Sequence, residues 1–197
     1  MTSSDLTALP DGAKARAAAR VGTSVDGTVG SSSGPGVASA ARVGLACAEF
    51  NGGITDRLLT AALDALEEAG CDLSRAVVVW APGAFELPVV AQALAVSDAV
   101  DAVICLGAVI RGDTGHYDFV AGECAAGLQR VQLDTGVPIV FGVLTTDTVD
   151  QALVRSGDDA SNKGREAAET ALKTLGALAG VAEASSGSRV GFSVGRR

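Results

Sequence analysis

The chain has 197 residues, of which 48% are apolar and 19% charged, with 25 glycines and a formal charge of −8. That length suits one domain with tails, on a scale of about 100–200 residues per domain. The acidic balance argues against broad binding to nucleic acid or to an anionic membrane, yet local arginines can still hold an anionic substrate.

No run reaches the roughly 18 apolar residues of a membrane helix, and the N-terminus lacks the continuous apolar core of a secretion signal. The four cysteines, Cys47, Cys71, Cys105 and Cys124, form no C-x-x-C pair, and with a single histidine they do not read as a zinc cage. No metal is expected. Cys47 and Cys105 lie inside apolar runs, where a free thiol behaves as a small hydrophobe, so a reducing cytoplasmic location fits best.

In chain order, residues 1–40 are rich in Ser, Gly and Ala, include SSSGPG, and read as a flexible extension. Within them DGAKARAAAR (11–20) is basic and alanine-rich, and an organelle transit peptide is a minority reading. RVGLACAEF (42–50) is a strand candidate. Ile54, Leu58, Ala62, Leu66 and Ala69 recur at helical spacing, and Gly70 is a stop. AVVVWA (76–81) is a second strand. PGAFELPVVAQALAV (82–96) opens as a turn and becomes helical, with Pro88 in its first turn, where a missing N–H costs little. AVICLGAVI (102–110) is a third strand, and Val120, Cys124, Leu128 and Val131 mark the inner face of the next helix. VPIVFGVLT (137–145) is a fourth strand. A short helix is expected around 148–155, and a last one from Ser161, with Ala168, Ala171, Leu172 and Leu175 inward. Residues 181–197 read as a flexible tail, with recognition by its VGFSV stretch as the sharper alternative.

Strand–helix alternation predicts βαβ units and a parallel sheet. The strands are near-continuous apolar runs, so both faces of the sheet are covered. The expected fold is a three-layer α/β/α sandwich, flavodoxin-like, with a four-stranded parallel sheet over residues 41–180 and an edge strand added by the N-terminal arm.

Ligands of such sheets bind outside the carboxyl ends of the strands. Here those ends are AEFNG, APGAFE, GAVIRGDTGH and FGVLTTDT. The third holds the only histidine, His116. Thr114 is a suitable N-cap for the helix that follows. The free N–H groups of the first turn, with the helix dipole, make a ready anion site. The positive end of that dipole disfavours imidazolium, so a neutral base is available to accept and return protons. A surface or capping histidine is the plainer reading. Asp113 complicates an anion site unless its carboxylate turns away. Arg111 and Arg155 are the candidate phosphate cations, because a guanidinium binds phosphate with forked hydrogen bonds. Glu86 sits among apolar residues at a strand end and calls for partners. Core packing is the commoner fate of aromatics such as Phe50 and Phe85. No nucleophile elbow, dinucleotide fingerprint or P-loop is present.

GAFELP (83–88), GAVIRGDTGHYDFV (107–120), GVLTTDT (142–148) with QALVR (151–155), and NKGREAA (162–168) resemble, in order and spacing, the motifs of the lumazine synthase family. The resemblance covers roughly residues 42–178. It implies condensation of 5-amino-6-(D-ribitylamino)uracil with 3,4-dihydroxy-2-butanone 4-phosphate to 6,7-dimethyl-8-ribityllumazine, with loss of phosphate and water. No cofactor is implied. By motif, Phe50 stacks on the pyrimidine, and Ala84, Phe85 and Glu86 line the ribityl and ring pocket. Ala108, Val109 and Ile110 back the pyrimidine. Asp113, Thr114 and Arg155 meet the phosphate, and His116 moves protons. Phe141, with Arg155, covers the site from a neighbouring subunit. At the Asp113 position many relatives carry a small or neutral residue, so only backbone contact carries over there.

The resemblance further implies homo-oligomers: pentamers, twelve of which close into a 60-subunit shell in some members. Association with riboflavin synthase is a further partner it raises. Three other readings compete. An archaeal-type riboflavin synthase and a non-catalytic flavin-binding, lumazine-binding or shell-forming homologue are disfavoured by the presence of His116 and Arg155. A generic flavodoxin-like module would need a Ser/Thr-rich first loop, and AEFNGG is not one.

Overall fold

The computed structural model describes residues 7–21 and 37–187. Among them four parallel strands form one sheet: β1 (Val43–Ala48), β2 (Val77–Ala81), β3 (Ala102–Ile110) and β4 (Ile139–Thr146), in the order β2-β1-β3-β4. The helices are α1 (Ala13–Arg20), the short α2 (Val37–Ala40), α3 (Gly52–Glu68), α4 (Leu87–Ala95), α5 (His116–Thr135), α6 (Val149–Arg155) and α7 (Lys163–Gly187). Single 3-10 turns, Leu73–Arg75 and Ala84–Glu86, precede β2 and α4.

Side chains alternate across the two central strands. Leu45, Cys47, Ile104 and Leu106 point to a layer built by Ile54, Leu58, Leu63 and Leu66 of α3 with Ala168 and Ala171 of α7. Ala46, Ala48, Val103 and Cys105 point to the other layer, against Leu87 and Ala91 of α4 and Cys124 and Leu128 of α5. Each leucine so buried contributes about 2 kcal/mol, before the cost of ordering it. All six residues of β1 are buried, as continuous apolar runs predict for a sheet covered on both faces. The three-layer α/β/α architecture is therefore as expected.

The chain moves outward from β1 to β2, then returns across β1 to form β3 and β4. The order reverses between β1 and β3, and a crevice opens there beyond the carboxyl ends. β3 also outruns β1. Their pairing ends with Cys47 opposite Leu106, whereas β3 continues against β4 as far as Ile110 opposite Thr146. Residues Ala108–Ile110 thus line an open edge.

The termini depart from their sequence reading. Residues 13–20, assigned by composition to a flexible extension, form a helix whose Ala13 and Ala17 are buried, as is Val21 after it. Small residues at i, i+4 and i+8 suffice for a close helix–helix seam, although they carry almost no periodic hydrophobic signal. At the other end α7 runs to Gly187, past the expected boundary at 180. The described residues of the N-terminal arm, 7–21 and 37–40, form no edge strand. The remainder of that arm, including SSSGPG, and the VGFSV stretch lie outside the described residues. No helix among the described residues is long and apolar enough to cross a membrane.

Candidate active site

A cleft of about 770 Å³ lies at the crevice between β1 and β3. Its walls are the loops that follow β1, β2 and β3. Phe50 and Asn51 come from the first, Gly83 to Glu86 from the second, and Ala108, Val109 and Ile110 from the end of β3, with Gly112, Thr114 and His116 beyond. Tyr117, Phe119 and Val120 of α5 complete it. The lining is mostly apolar with a few polar groups, which suits a flat, partly polar ring.

Local chemistry explains how these residues reach the cleft. Asn51 adopts a left-handed conformation (φ 57°), which asparagine tolerates better than most residues, and its Nδ2 donates to the Ala108 carbonyl at 3.0 Å. The backbone N–H groups of Glu49 and Phe50 donate to Ala81 and Pro82 carbonyls at 2.8 and 3.1 Å. The loop is thereby tied to its neighbours while Phe50 stays 72% exposed. Pro88 stands in the first turn of α4, as expected, and the Ala84–Glu86 turn ahead of it presents Phe85 outward. Glu86 is half-buried, and its carboxylate has no hydrogen-bond or ion-pair partner among the described residues. The expected partners are absent because Glu86 opens into the cleft rather than into packed protein.

His116 is the first residue of α5. The residue in the N-cap position is Gly115 rather than Thr114, and Thr114 contributes only a long contact, accepting from the His116 N–H at 3.4 Å. Gly115 offers no side-chain cap, and the first turn is already partly satisfied: the His116 N–H donates to Thr114 Oγ1 and the Asp118 N–H to the Gly115 carbonyl at 3.2 Å, so the turn offers an anion its helix dipole more than a set of free N–H groups. The imidazole of His116 is exposed, with no partner among the described residues. Asp113 is exposed in the same loop but does not line the cleft.

Of the two candidate phosphate cations, Arg111 is already committed. Its Nε donates to Asp147 at 3.0 Å and an Nη to Asp118 at 3.2 Å, and the guanidinium stacks 4.0 Å from the centroid of Tyr117. Hydrogen bonds to Asp118 and Asp147 hold it further above the ordinary arginine range. Arg111 therefore ties the loop before His116 to the β4–α6 junction and is not a free phosphate ligand.

Arg155 sits elsewhere. With Phe141 it lines a second depression, about 450 Å³, on the outer side of edge strand β4. Its guanidinium donates to the Gln151 carbonyl of its own helix at 2.9 Å and has no carboxylate partner among the described residues. Lys163 and Glu166 line the same depression, joined by Nζ–carboxylate hydrogen bonds of 2.6 and 2.7 Å. Phe141 is 41% exposed there, on a strand whose neighbouring positions Gly142 to Leu144 are buried.

Within one chain, then, Phe50, Ala84, Phe85, Glu86, Ala108, Val109, Ile110, Thr114 and His116 meet in one cleft, while Phe141 and Arg155 share another opening. Sequence reasoning missed Asn51, Tyr117 and Phe119 in the first and Lys163 and Glu166 in the second. The sequence starts the last helix at Ser161, close to its observed start at Lys163, which gives that residue no site role. The available signal was a second cation and a carboxylate shortly after Arg155, across a polar, glycine-containing break.

The model of the family described as 6,7-dimethyl-8-ribityllumazine synthase matches residues 40–179. Three curated relatives carry that same description. The one from Protochlamydia amoebophila (strain UWE25) is 50% identical over 137 residues, covering 70% of this chain and 80% of the relative. That from Edwardsiella ictaluri (strain 93-146) is 53% identical over 139 residues, covering 70% and 89%. That from Syntrophus aciditrophicus (strain SB) is 51% identical over 142 residues, covering 72% and 92%.

Proposed function

The chain belongs to the 6,7-dimethyl-8-ribityllumazine synthase family, and on that premise we propose that its cleft and its outer depression are the two halves of a lumazine-forming site. The activity is a transferase reaction of riboflavin biosynthesis. It condenses 5-amino-6-(D-ribitylamino)uracil with 3,4-dihydroxy-2-butanone 4-phosphate, releasing phosphate and water. A non-catalytic role is not favoured, given relatives about half identical over most of their length.

The observation that carries the site assignment is convergence. Three strand-end loops far apart in sequence meet in one cleft of about 770 Å³, with the only histidine at its rim. In this reading the pyrimidine stacks on Phe50 and lies along Ala108, Val109 and Ile110. Ala84, Phe85 and Glu86 receive the ribityl chain, and the unpartnered Glu86 carboxylate has hydroxyls to accept from. The phosphate lies at the positive end of α5, through Thr114 and the backbone of Asp113, and meets Arg155. Imine formation, phosphate elimination, tautomerisation, ring closure and dehydration need two partners held in register and protons moved between them. His116 is the group that moves them, taking a proton at one step and returning it at another.

Arg155 and Phe141 open on a different face from His116, which supports a site completed by a second copy of the chain. The exposed Phe50, Phe85 and Phe119 support burial against such a copy. We take the pentamer as the oligomer, on the family resemblance. Its product is of the kind that a riboflavin synthase joins in pairs, which supports that enzyme as a partner. Four free, buried cysteines support a cytoplasmic location.

The test mixes purified protein with both substrates and follows lumazine absorbance and released phosphate together. His116→Ala should slow turnover by about 100-fold, the low end for lost proton transfer, with thermal unfolding unchanged because the side chain is exposed. Unchanged turnover would remove His116 from the mechanism.

A further inference from the structure

Helix α1 lies outside the residues matched by the family model, yet it is fastened to the loop that carries Phe50. Its apolar seam, Ala13, Ala17 and Val21, is buried. Its cations pair with acids along one face of α3: Arg16 with Asp56 at 3.0 Å, and Arg20 with Asp64 at 2.8 Å and Glu67 at 3.2 Å. Toward the cleft, Lys14 pairs with Glu49, the residue before Phe50, and its ammonium stands 5.8 Å above the ring of Trp80. Ahead of the helix, Leu9 presses on Gly52, where an added Cβ would sit 2.4 Å from Leu9 Cβ and 2.9 Å from its Cα. Phe50 and Asn51 are thus bracketed. The ends of β2 and β3 hold their backbone and amide groups from the cleft side, and Leu9 and Lys14 hold residues 52 and 49 from behind.

We propose that residues 9–21 act as an electrostatic clasp that positions the Phe50 loop for the pyrimidine substrate, with Lys14, Arg16 and Arg20 as positioning residues. The proposal rests on the reading of the cleft as the lumazine-forming site. All of the clasp's ion pairs are partly exposed, so each contributes little alone and all weaken together as salt rises. The pyrimidine substrate is uncharged, so salt acts on its binding chiefly through the clasp. The phosphate substrate meets groups that the clasp does not touch.

The single tryptophan makes docking visible without turnover. The full chain is titrated from about 0.1 M to about 1 M sodium chloride, over which the screening length falls from about 10 Å to about 3 Å. Trp80 emission, the Michaelis constant for the pyrimidine and kcat are read at each step. Release of the clasp raises that constant by roughly three- to tenfold, the scale of a few exposed pairs, in step with the Trp80 signal and with kcat little changed. Arg16→Glu combined with Arg20→Glu starts at the high value and loses the salt response. Adding Asp56→Arg, Asp64→Arg and Glu67→Arg to that double variant returns the low value. A Trp80 signal that moves while the Michaelis constant stays fixed overturns the positioning role. If neither quantity responds to salt or to the double variant, the clasp itself is refuted. Failure of the unmodified chain to form lumazine at low salt sinks the functional reading and this proposal together.

Discussion

At the scale of single side chains, the proposed reading gives proton transfer to His116 and phosphate to Arg155, and the two face different openings of one chain. Arg111, nearer to His116 in sequence, is spent on Asp118, Asp147 and Tyr117, so charge alone does not identify the phosphate ligand. The thiols add a pH dependence. Burial pushes Cys124 up to about 11, raises Cys71, and pushes Cys105 well above its ordinary range. In the unfolded chain a thiol titrates near 8.5. The folded protein therefore keeps protons that the unfolded chain releases, and this stabilisation is complete below about pH 8.5 and lost above it. The thermal midpoint should fall between about pH 8.5 and 10, less steeply in a Cys105→Ala, Cys124→Ala variant. Equal slopes in the two proteins would show that the thiols do not drive the loss.

At the scale of elements, what was legible in the sequence followed from long apolar runs. Each of the four strands is such a run, and α3, α4, α5 and α7 bear stripes of large or regularly spaced apolar residues, so their faces could be read directly. Helix α1 was not legible. Its seam is alanine, and its partners are acids 35 to 47 positions away, invisible to any local window. The same limit hid Arg111's engagement, because Asp147 lies 36 residues on. Close helix contact is equally non-local. At Gly164, in the first turn of α7, an added Cβ would lie 1.9 Å from the Leu58 carbonyl oxygen and 2.8 Å from its Cα, both backbone atoms of α3. Gly164→Ala must push the two helices apart and should cost about 3 kcal/mol or more. Gly176→Ala, in open space on the same helix, should stabilise by up to about 1 kcal/mol. Comparing the two denaturation midpoints checks the crossing; equal midpoints would mean that α7 and α3 are not in contact there.

At the scale of the whole molecule, the order β2-β1-β3-β4 sets the His116 cleft at the central switch point and leaves the Arg155 depression on edge strand β4. The motif resemblance implies that Phe141 and Arg155 serve a neighbour's site. Under the proposed reading, each copy lends a cation and an aromatic ring to one neighbour and receives them from another. Heterologous contacts of that kind close into a ring when the rotation between copies closes. Co-expression of His116→Ala with Arg155→Ala chains tests this account most directly. Each variant alone should be nearly inactive. In random mixed assemblies some sites pair an intact His116 with an intact Arg155 from the next copy, and turnover should recover to about a quarter of the unmodified level. Activity no greater than that of either variant alone would contradict a site shared between copies.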